Sequence, residues 1–342
     1  MARKLALLLG IAALLVLPYA LPAEWSWLVL LINRALILGI VAIGLNLLTG
    51  FAGQISIGHA AFIAIGAFSS YGLTAKLGIP FWGALPLAGL ITAALGYALG
   101  FPALRLQGHY LAIATLGFGV AVPQILNIWK WLSGGWTGVK PAAPYLYGLW
   151  FKEDRPYYYL ILIALAILTW AALNIAKRRT GRAFIALRDS SVAAQAMGIS
   201  LARYKTMAFA LSAFYAGIGG SLWAHMMNYI APHDFNLAMS MELFTIIVLG
   251  GLASVPGSIV GALFMSLLPK VVEKISLALQ RPGAFDHSPF LMNVFKNLNQ
   301  VLTGVILVLV VLYLPRGLVE LWYRLQHWWA GRQRPAAARG VK

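Results

Sequence analysis

The run WLVLLINRALILGIVAIGLNLLT, residues 27–49, has Arg34 as its single charged residue. A helix needs about 20 apolar residues to cross the hydrocarbon core of a bilayer, and this run is long enough. Because lipid offers no hydrogen bonds to the backbone, such a run is expected to be helical. Similar runs recur along the 342 residues, of which 61% are hydrophobic and 10% charged, whereas soluble domains have about a quarter charged residues. The sequence therefore predicts an all-α polytopic membrane protein in which residues 1–342 form a single transmembrane domain.

About ten apolar runs can be delimited along the chain. Their approximate bounds are 5–22, 27–49, 60–76, 81–103, 109–129, 157–176, 206–227, 239–254, 257–275 and 297–315. The first run follows two basic residues and also has the layout of a secretory signal. We interpret it as a membrane helix, because six spans then precede residues 177–205 and return that loop to the side of the N-terminus.

The distribution of charge supports this topology. The net charge is +17, and 16 of the 26 Lys and Arg residues fall on the predicted side of the N-terminus, in the loop 177–205, the tail 316–342 and the short segments around Arg3 and Arg105. Basic residues in short flanking loops mark the cytoplasmic side of a membrane. We therefore predict that both termini are cytoplasmic and that the excess charge reflects topology and anionic lipid rather than nucleic acid.

The chain has none of the sequence patterns of common catalytic sites. There is no phosphate-binding G-x-x-x-x-G-K-[ST] loop, no H-E-x-x-H and no G-x-S-x-G, and there is no cysteine. We therefore predict no catalytic residue, no metal site and no cofactor within this chain.

The stretch RDSSVAAQAMGIS, residues 188–200, is too polar and too short to cross the membrane. Asp189 or Ser190 can cap the start of a helix, and Gly198 suits the residue after its end. The apolar residues between them would lie on one face, which makes a short amphipathic helix. Such a helix either rests on the membrane surface or inserts into a groove of another protein.

The stretch GLNLLTGFAGQISIGHAAFIAIGAF, residues 44–68, interrupts one apolar run and starts the next. Polar residues at a break between membrane helices either line a pathway or belong to a plain hairpin at the membrane surface. The candidates for a pathway here are Asn46, Gln54, Ser56 and His59.

Two further charged residues lie within or near the outer ends of apolar runs. Arg34 is expected to extend its side chain to the membrane surface, since an unpaired charge in lipid costs several kcal/mol. Glu242 is a further candidate for the pathway, where its carboxylate would face a substrate that bears an amino group.

Four stretches together resemble one known family. They are GLNLLTGFAGQISIGHAAF at residues 44–62, LRDSSVAAQAMGIS at 187–200, ELFTIIVLGGLASVPGSIVGALF at 242–264 and LPRGL at 314–318. The family is that of the inner-membrane permease subunits of branched-chain amino acid ABC importers, the LivM-type permeases. The resemblance covers about residues 27–320 and implies the ten-helix, LivM- and BtuC-like fold of large importers.

The resemblance also implies partners. These are a second homologous permease, two cytoplasmic ATPase subunits that bind ATP and magnesium, and an external substrate-binding protein. The short helix would then couple this chain to an ATPase through Arg188, Asp189, Ala193, Ala194, Met197 and Gly198. The alternative is an ATP-independent secondary transporter or channel for small solutes. The substrate stays open between leucine, isoleucine and valine on one side and urea, amides or other amino acids on the other.

Overall fold

The computed structural model describes residues 25–279 except Arg105, Gln107, Tyr147, Gly148 and Lys152, with short pieces at 16–19, 22, 304–305, 308–309, 312–313 and 317–319. The predicted spans 5–22 and 297–315 and the tail 316–342 lie largely outside these residues.

The principal elements are helices that run up and down a bundle. They are α1 (Ser26–Asn46, continued by a π-helical turn Leu47–Phe51), α2 (His59–Tyr71, continued by a π-helical turn Gly72–Lys76), α3 (Phe81–Ala103), α4 (His109–Ile128), α5 (Asp154–Lys177), α6 (Arg179–Asp189), α7 (Ser191–Ala196), α8 (Leu201–Met227), α9 (Leu237–Gly250) and α10 (Val255–Leu279). Short elements are a helical turn at Lys130–Ser133, 3₁₀ turns at Gly135–Thr137 and Pro232–Asp234, and the antiparallel strands β1 (Tyr145–Leu146) and β2 (Leu149–Trp150).

The described residues contain six helical segments that are long and apolar enough to cross a membrane. They are Ser26–Phe51, Phe81–Pro102, His109–Ile128, Asp154–Lys177, Leu201–Met227 and Val255–Lys274. Helices α2 and α9 coincide with the predicted runs 60–76 and 239–254 but do not meet that requirement of length and apolarity. An all-helical membrane bundle is thus confirmed, whereas the count of ten spans stays a prediction.

Helix α8 lies at the centre of the bundle and packs against α1, α2 and α3. Small residues make these contacts possible, because a side chain on Gly66 of α2 would overlap the backbone of Gly217, and one on Gly220 would overlap Ile63. On α3, Gly96 and Gly100 face α8 in the same way. Their G-x-x-x-G spacing is typical of membrane helices whose backbones approach closely.

Helix α1 packs against α5, α8, α9 and α10, and most of its residues from Ala35 onward are buried. Helices α9 and α10 approach each other through Gly250, Gly257 and Gly261, each of which lies against backbone of the other helix. Helices α9 and α10 therefore meet backbone to backbone, and Gly50, in the π-helical turn after α1, lies against the backbone of Ala253 in the link between them.

At the opposite end of the bundle, the segments after α4 and α8 are joined. Val139 and Ile230 form a β-bridge. His225 Nδ1 lies 2.6 Å from the carbonyl of Ala142 and His225 Nε2 lies 3.0 Å from Ser70 Oγ, so α2, α8 and the loop are connected through one buried imidazole. This loop connects α4 to α5.

Two glycine substitutions test whether backbone contact sets the stability of the bundle. A Cβ on Gly66 meets the backbone of Gly217, which has no flexible end to move aside, so we expect Gly66→Ala to lower the free energy of unfolding by about 1–3 kcal/mol. Among the described residues, a Cβ on Gly117 of α4 would meet no atom outside its own helix within 4 Å, so Gly117→Ala is the control, with a gain of up to about 1 kcal/mol from helix propensity. Thermal unfolding in detergent gives both values, and equal melting temperatures for the two variants would contradict the packing described here.

Candidate functional site

The sequence between α5 and α8 folds into two helices. Helix α6 buries Ala183, Phe184 and Leu187 along one face. Ser190 then adopts an extended conformation and accepts a hydrogen bond from Ala193 N at 3.2 Å, so it caps α7. Gly198 follows α7 with φ +81°. The short capped helix and its terminating glycine are confirmed. Helix α6 was not predicted, although the spacing of its apolar residues indicates a helix.

Helix α7 buries one residue and exposes most of the others. Ala194 is buried, with 2% of its surface exposed, and faces its own chain near α6 and α8. Ala193 is exposed, and Val192 and Met197 expose 78% and 83% of their surfaces. Contact of Ala194 with a partner stays a prediction; within this chain the small residue lets α7 lie close to the bundle.

Arg188, at the end of α6, contacts the π-helical turn that follows α1. Its Nη1 donates to the carbonyl of Gly50 at 3.1 Å, and its Nε donates to Asp189 Oδ1, also at 3.1 Å. Gly53, with φ +67°, lies so close that a Cβ there would be 3.1 Å from Cα of Arg188. The α6–α7 unit is therefore in direct contact with the residues that end α1.

Asn46 joins the same end of α1 to α9 and α10. Its side chain is fully buried, and Nδ2 lies 3.1 Å from the carbonyl of Gly251, 3.0 Å from that of Ser254 and 2.9 Å from Ser258 Oγ. Its Oδ1 accepts from Ala253 N at 2.8 Å. Both ends of the amide are occupied, so Asn46 is a structural connection here and faces no open space.

The four stretches that carry the family resemblance meet at this connection. Asn46 and Gly50 belong to the first stretch, Arg188 to the second, and the Gly251–Ser258 contacts to the third. Gly317, from the fourth, lies directly against the backbone of Gly250 and Gly251. Residues that are far apart in sequence thus form one contact region next to the start of α7. We call this region, which comprises Asn46, Gly50, Arg188, Gly251–Ser258 and Gly317, the α7-end junction.

Residues 52–58 connect α1 to α2 without regular structure. Their backbone is bonded mostly by neighbouring elements: Gln54 N donates to Leu48 O at 3.0 Å and Ile57 N donates to Thr115 Oγ1 at 3.0 Å. Ala60 N, just inside α2, donates to Ser240 Oγ at 3.0 Å. Thr115 is six residues into α4, about 9 Å along that helix. Non-helical backbone therefore enters the bundle, where surrounding protein supplies its hydrogen bonds.

Three predicted pathway residues lie along this connection. Gln54, Ser56 and His59 are buried, and in the described part of the chain Gln54 Oε1, Ser56 Oγ and His59 Nδ1 have no hydrogen-bond partner. His59 Nε2 lies 3.4 Å from Ser212 Oγ, and the ring packs edge-on against Phe62. Buried polar atoms without partners are uncommon, so these three groups have unused capacity to bind water or a polar solute.

The fifth candidate, Glu242, lies elsewhere. Its carboxylate is 3.0 Å from Arg34 Nη2, which makes an ion pair between α9 and α1. Arg34 was expected at the membrane surface as an unpaired charge, but its charge is paired with that of a residue 208 positions away. Gln54, Ser56 and His59 thus lie in one short stretch of the chain, whereas Asn46 and Glu242 bond to residues of other elements.

Comparison with known proteins gives the family. A sequence model of the branched-chain amino acid transport system permease component matches residues 27–311. The LivM permease protein of the high-affinity branched-chain amino acid transport system of Escherichia coli is 33% identical over 338 residues, which cover 92% of this chain and 75% of the relative. The LivH permease protein of the same system in Salmonella typhimurium is 26% identical, over 82% of this chain and 90% of the relative.

A third relative is the permease protein LsrC of an autoinducer 2 import system in Salmonella paratyphi B, 27% identical over 79% of this chain and 78% of the relative. No solved structure matches. Six apolar helices and a family match that spans most of the chain agree with each other. This chain therefore belongs to the family of branched-chain amino acid transport permeases, as a LivM-type multi-pass membrane protein.

Proposed function

We propose that this chain is the permease subunit of an ATP-driven importer of branched-chain amino acids in the inner membrane, with both termini in the cytoplasm. It would form half of the translocation pathway beside a second homologous permease. Two ATPase subunits would bind ATP and magnesium on the cytoplasmic side, and an external binding protein would deliver the substrate. This chain itself would carry out no chemistry.

The observation that supports this proposal most is the position of α7. Six residues cannot cross a membrane, yet this helix presents Val192 and Met197 outward while Ala194 fixes it to the bundle. A short helix with an exposed apolar face suits a groove in another protein. A cytoplasmic ATPase subunit is the partner whose movement such a helix would transmit.

The α7-end junction offers a route for that movement. Arg188 bonds the carbonyl of Gly50, and four residues earlier Asn46 bonds the link between α9 and α10. Displacement of α7 by an ATPase would therefore act on the end of α1 and on the connection 52–58. A ligand or partner shifts such an equilibrium only by binding one of the two arrangements more tightly than the other.

The connection 52–58 with His59 is our candidate for part of the pathway. Gln54, Ser56 and His59 supply polar atoms that are unsatisfied inside the described part of the bundle, as expected of a broken segment that lines a route for solutes. The substrate class rests on the LivM and LivH relatives, whose names specify branched-chain amino acids.

The alternative is an ATP-independent transporter or channel, and partner identification separates the two. The full-length chain would be solubilised from its native membrane in mild detergent, and the co-purifying proteins identified by mass spectrometry. An ATPase subunit together with a second, similar permease supports the importer. A chain that purifies alone and still transports solute into liposomes without ATP would overturn the proposal.

A bulky residue on the outer face of α7 is expected to block docking. Ala193 is exposed, so Ala193→Trp leaves the fold of this chain intact but prevents close approach of an ATPase. We expect ATP-driven uptake by the reconstituted importer to fall at least about tenfold, with loss of the ATPase from the purified complex.

The matched control is Ala75→Trp, which makes the same change at an exposed alanine in the turn after α2, at the opposite end of the bundle. It should leave uptake unchanged. Normal ATPase retention by Ala193→Trp would show that α7 is no docking helix.

Arg188→Ala tests transmission rather than docking. The change removes the bond to Gly50 and leaves the outer face of α7 in place, so we expect ATP hydrolysis to continue while uptake per ATP falls. Arg182→Ala is the control, since Arg182 lies on the same helix but donates to the carbonyl of Lys177 at the end of α5 and not to the turn after α1.

Hydrolysis and uptake are measured together on the reconstituted complex. An unchanged ratio of uptake to hydrolysis for Arg188→Ala, equal to that of Arg182→Ala, would contradict the proposed role of the Arg188–Gly50 contact.

A further inference from the structure

The ion pair between Arg34 and Glu242 has two properties that a purely structural tie does not need. Arg34 Nη2 makes both contacts, at 3.0 Å and 3.2 Å to the two carboxylate oxygens. The pair is also accessible, with 39% of the Arg34 side chain and 24% of the Glu242 side chain exposed. Both charges therefore present a face that the described part of this chain does not cover.

The depth of the pair makes that exposure informative. Arg34 is eight residues after Ser26, about 12 Å along α1, and Asn46 is about 18 Å further on. The hydrocarbon core of a bilayer is about 30 Å thick, so the pair lies well inside the span. Charged side chains at such a depth avoid lipid and face the bundle interior or a water-filled cavity. The exposed face of the pair is thus expected to meet water or polar groups.

The pair also has unused hydrogen-bonding capacity. Among the described residues, Arg34 Nε is buried without a partner, and both contacts of the guanidinium with Glu242 go through Nη2. The Trp223 ring, 5.8 Å from Arg34 Cζ, packs on the guanidinium and limits its movement. A guanidinium held in this way can bind a second carboxylate, since its five donors exceed what Glu242 uses.

We propose that the exposed face of the Arg34–Glu242 pair lines the translocation route and binds an amino-acid zwitterion in transit, with the substrate carboxylate on Arg34 and its ammonium group on Glu242. The inference rests on the proposed function and adds a binding site to it. It favours amino acids over urea and simple amides, because a neutral solute carries neither the carboxylate nor the ammonium group that the two charges would bind.

The first test is neutralisation of the pair in the reconstituted importer, with L-leucine as the probe. Glu242→Gln and Arg34→Gln should each lower uptake at least about tenfold, while the ATPase subunits still co-purify. Glu273→Gln is the matched control, because Glu273 forms a similarly exposed ion pair with Lys270 in α10 at 2.8 Å. Uptake at the control rate in both variants would overturn the inference.

The second test does not depend on a change in the pair itself. The chain has no cysteine, so Thr245→Cys gives a unique thiol three residues after Glu242, on the same side of α9. A charged methanethiosulfonate reagent reacts only with a thiol in water. We expect this thiol to react in the assembled importer, and L-leucine, but not urea, to slow the reaction.

Leu90→Cys is the control for a thiol that faces lipid. Leu90 is 57% exposed on α3 and lies among other apolar residues, so a cysteine in its place should stay unreactive. A Thr245→Cys thiol that is equally unreactive, or that L-leucine does not protect, would overturn the inference. Loss of the ATPase from the purified complex would instead contradict the proposed function, so the two failures are distinguishable.

Discussion

One buried amide holds together the region on which the proposed mechanism depends. Asn46 has no exposed surface, and its two polar atoms bond three backbone groups and one hydroxyl of the segment from Gly251 to Ser258. In lipid those groups have no alternative partner, so the amide substitutes for the solvent that would otherwise satisfy them. Asn46 thereby ties the end of α1 to the α9–α10 link, four residues before the carbonyl of Gly50 that Arg188 contacts.

The remainder of the bundle depends on close approach of backbones. Lipid is as apolar as the side chains, so burial of apolar surface does not drive membrane helices together, and packing must do so. The pairs Gly66–Gly217 and Gly250–Gly257 supply that packing. They bring α8 onto α2 and α9 onto α10 with nothing between the main chains.

Local patterns in the sequence were sufficient for part of this architecture. Apolar length gave the helices of the bundle, and a capping serine with a glycine eight residues later gave α7, because both signals depend on neighbours along the chain. The contacts Arg34–Glu242 and Asn46–Ser258 join positions more than 200 residues apart. No local pattern specifies such a partner, which is why Arg34 was expected at the membrane surface and Asn46 in a pathway.

Two polar contacts of α1 with the α9–α10 hairpin restrict how that helix can move. One lies at Arg34 and the other at Asn46, about 18 Å apart on the same helix, and both reach the α9–α10 hairpin. A helix that is bonded at two such points cannot rotate about its own axis relative to the hairpin to which it is bonded. Force applied at α7 would therefore tilt or translate α1, α9 and α10 as one block. The connection at residues 52–58 lies beyond both contacts, so it would take up the change in angle between this block and α2.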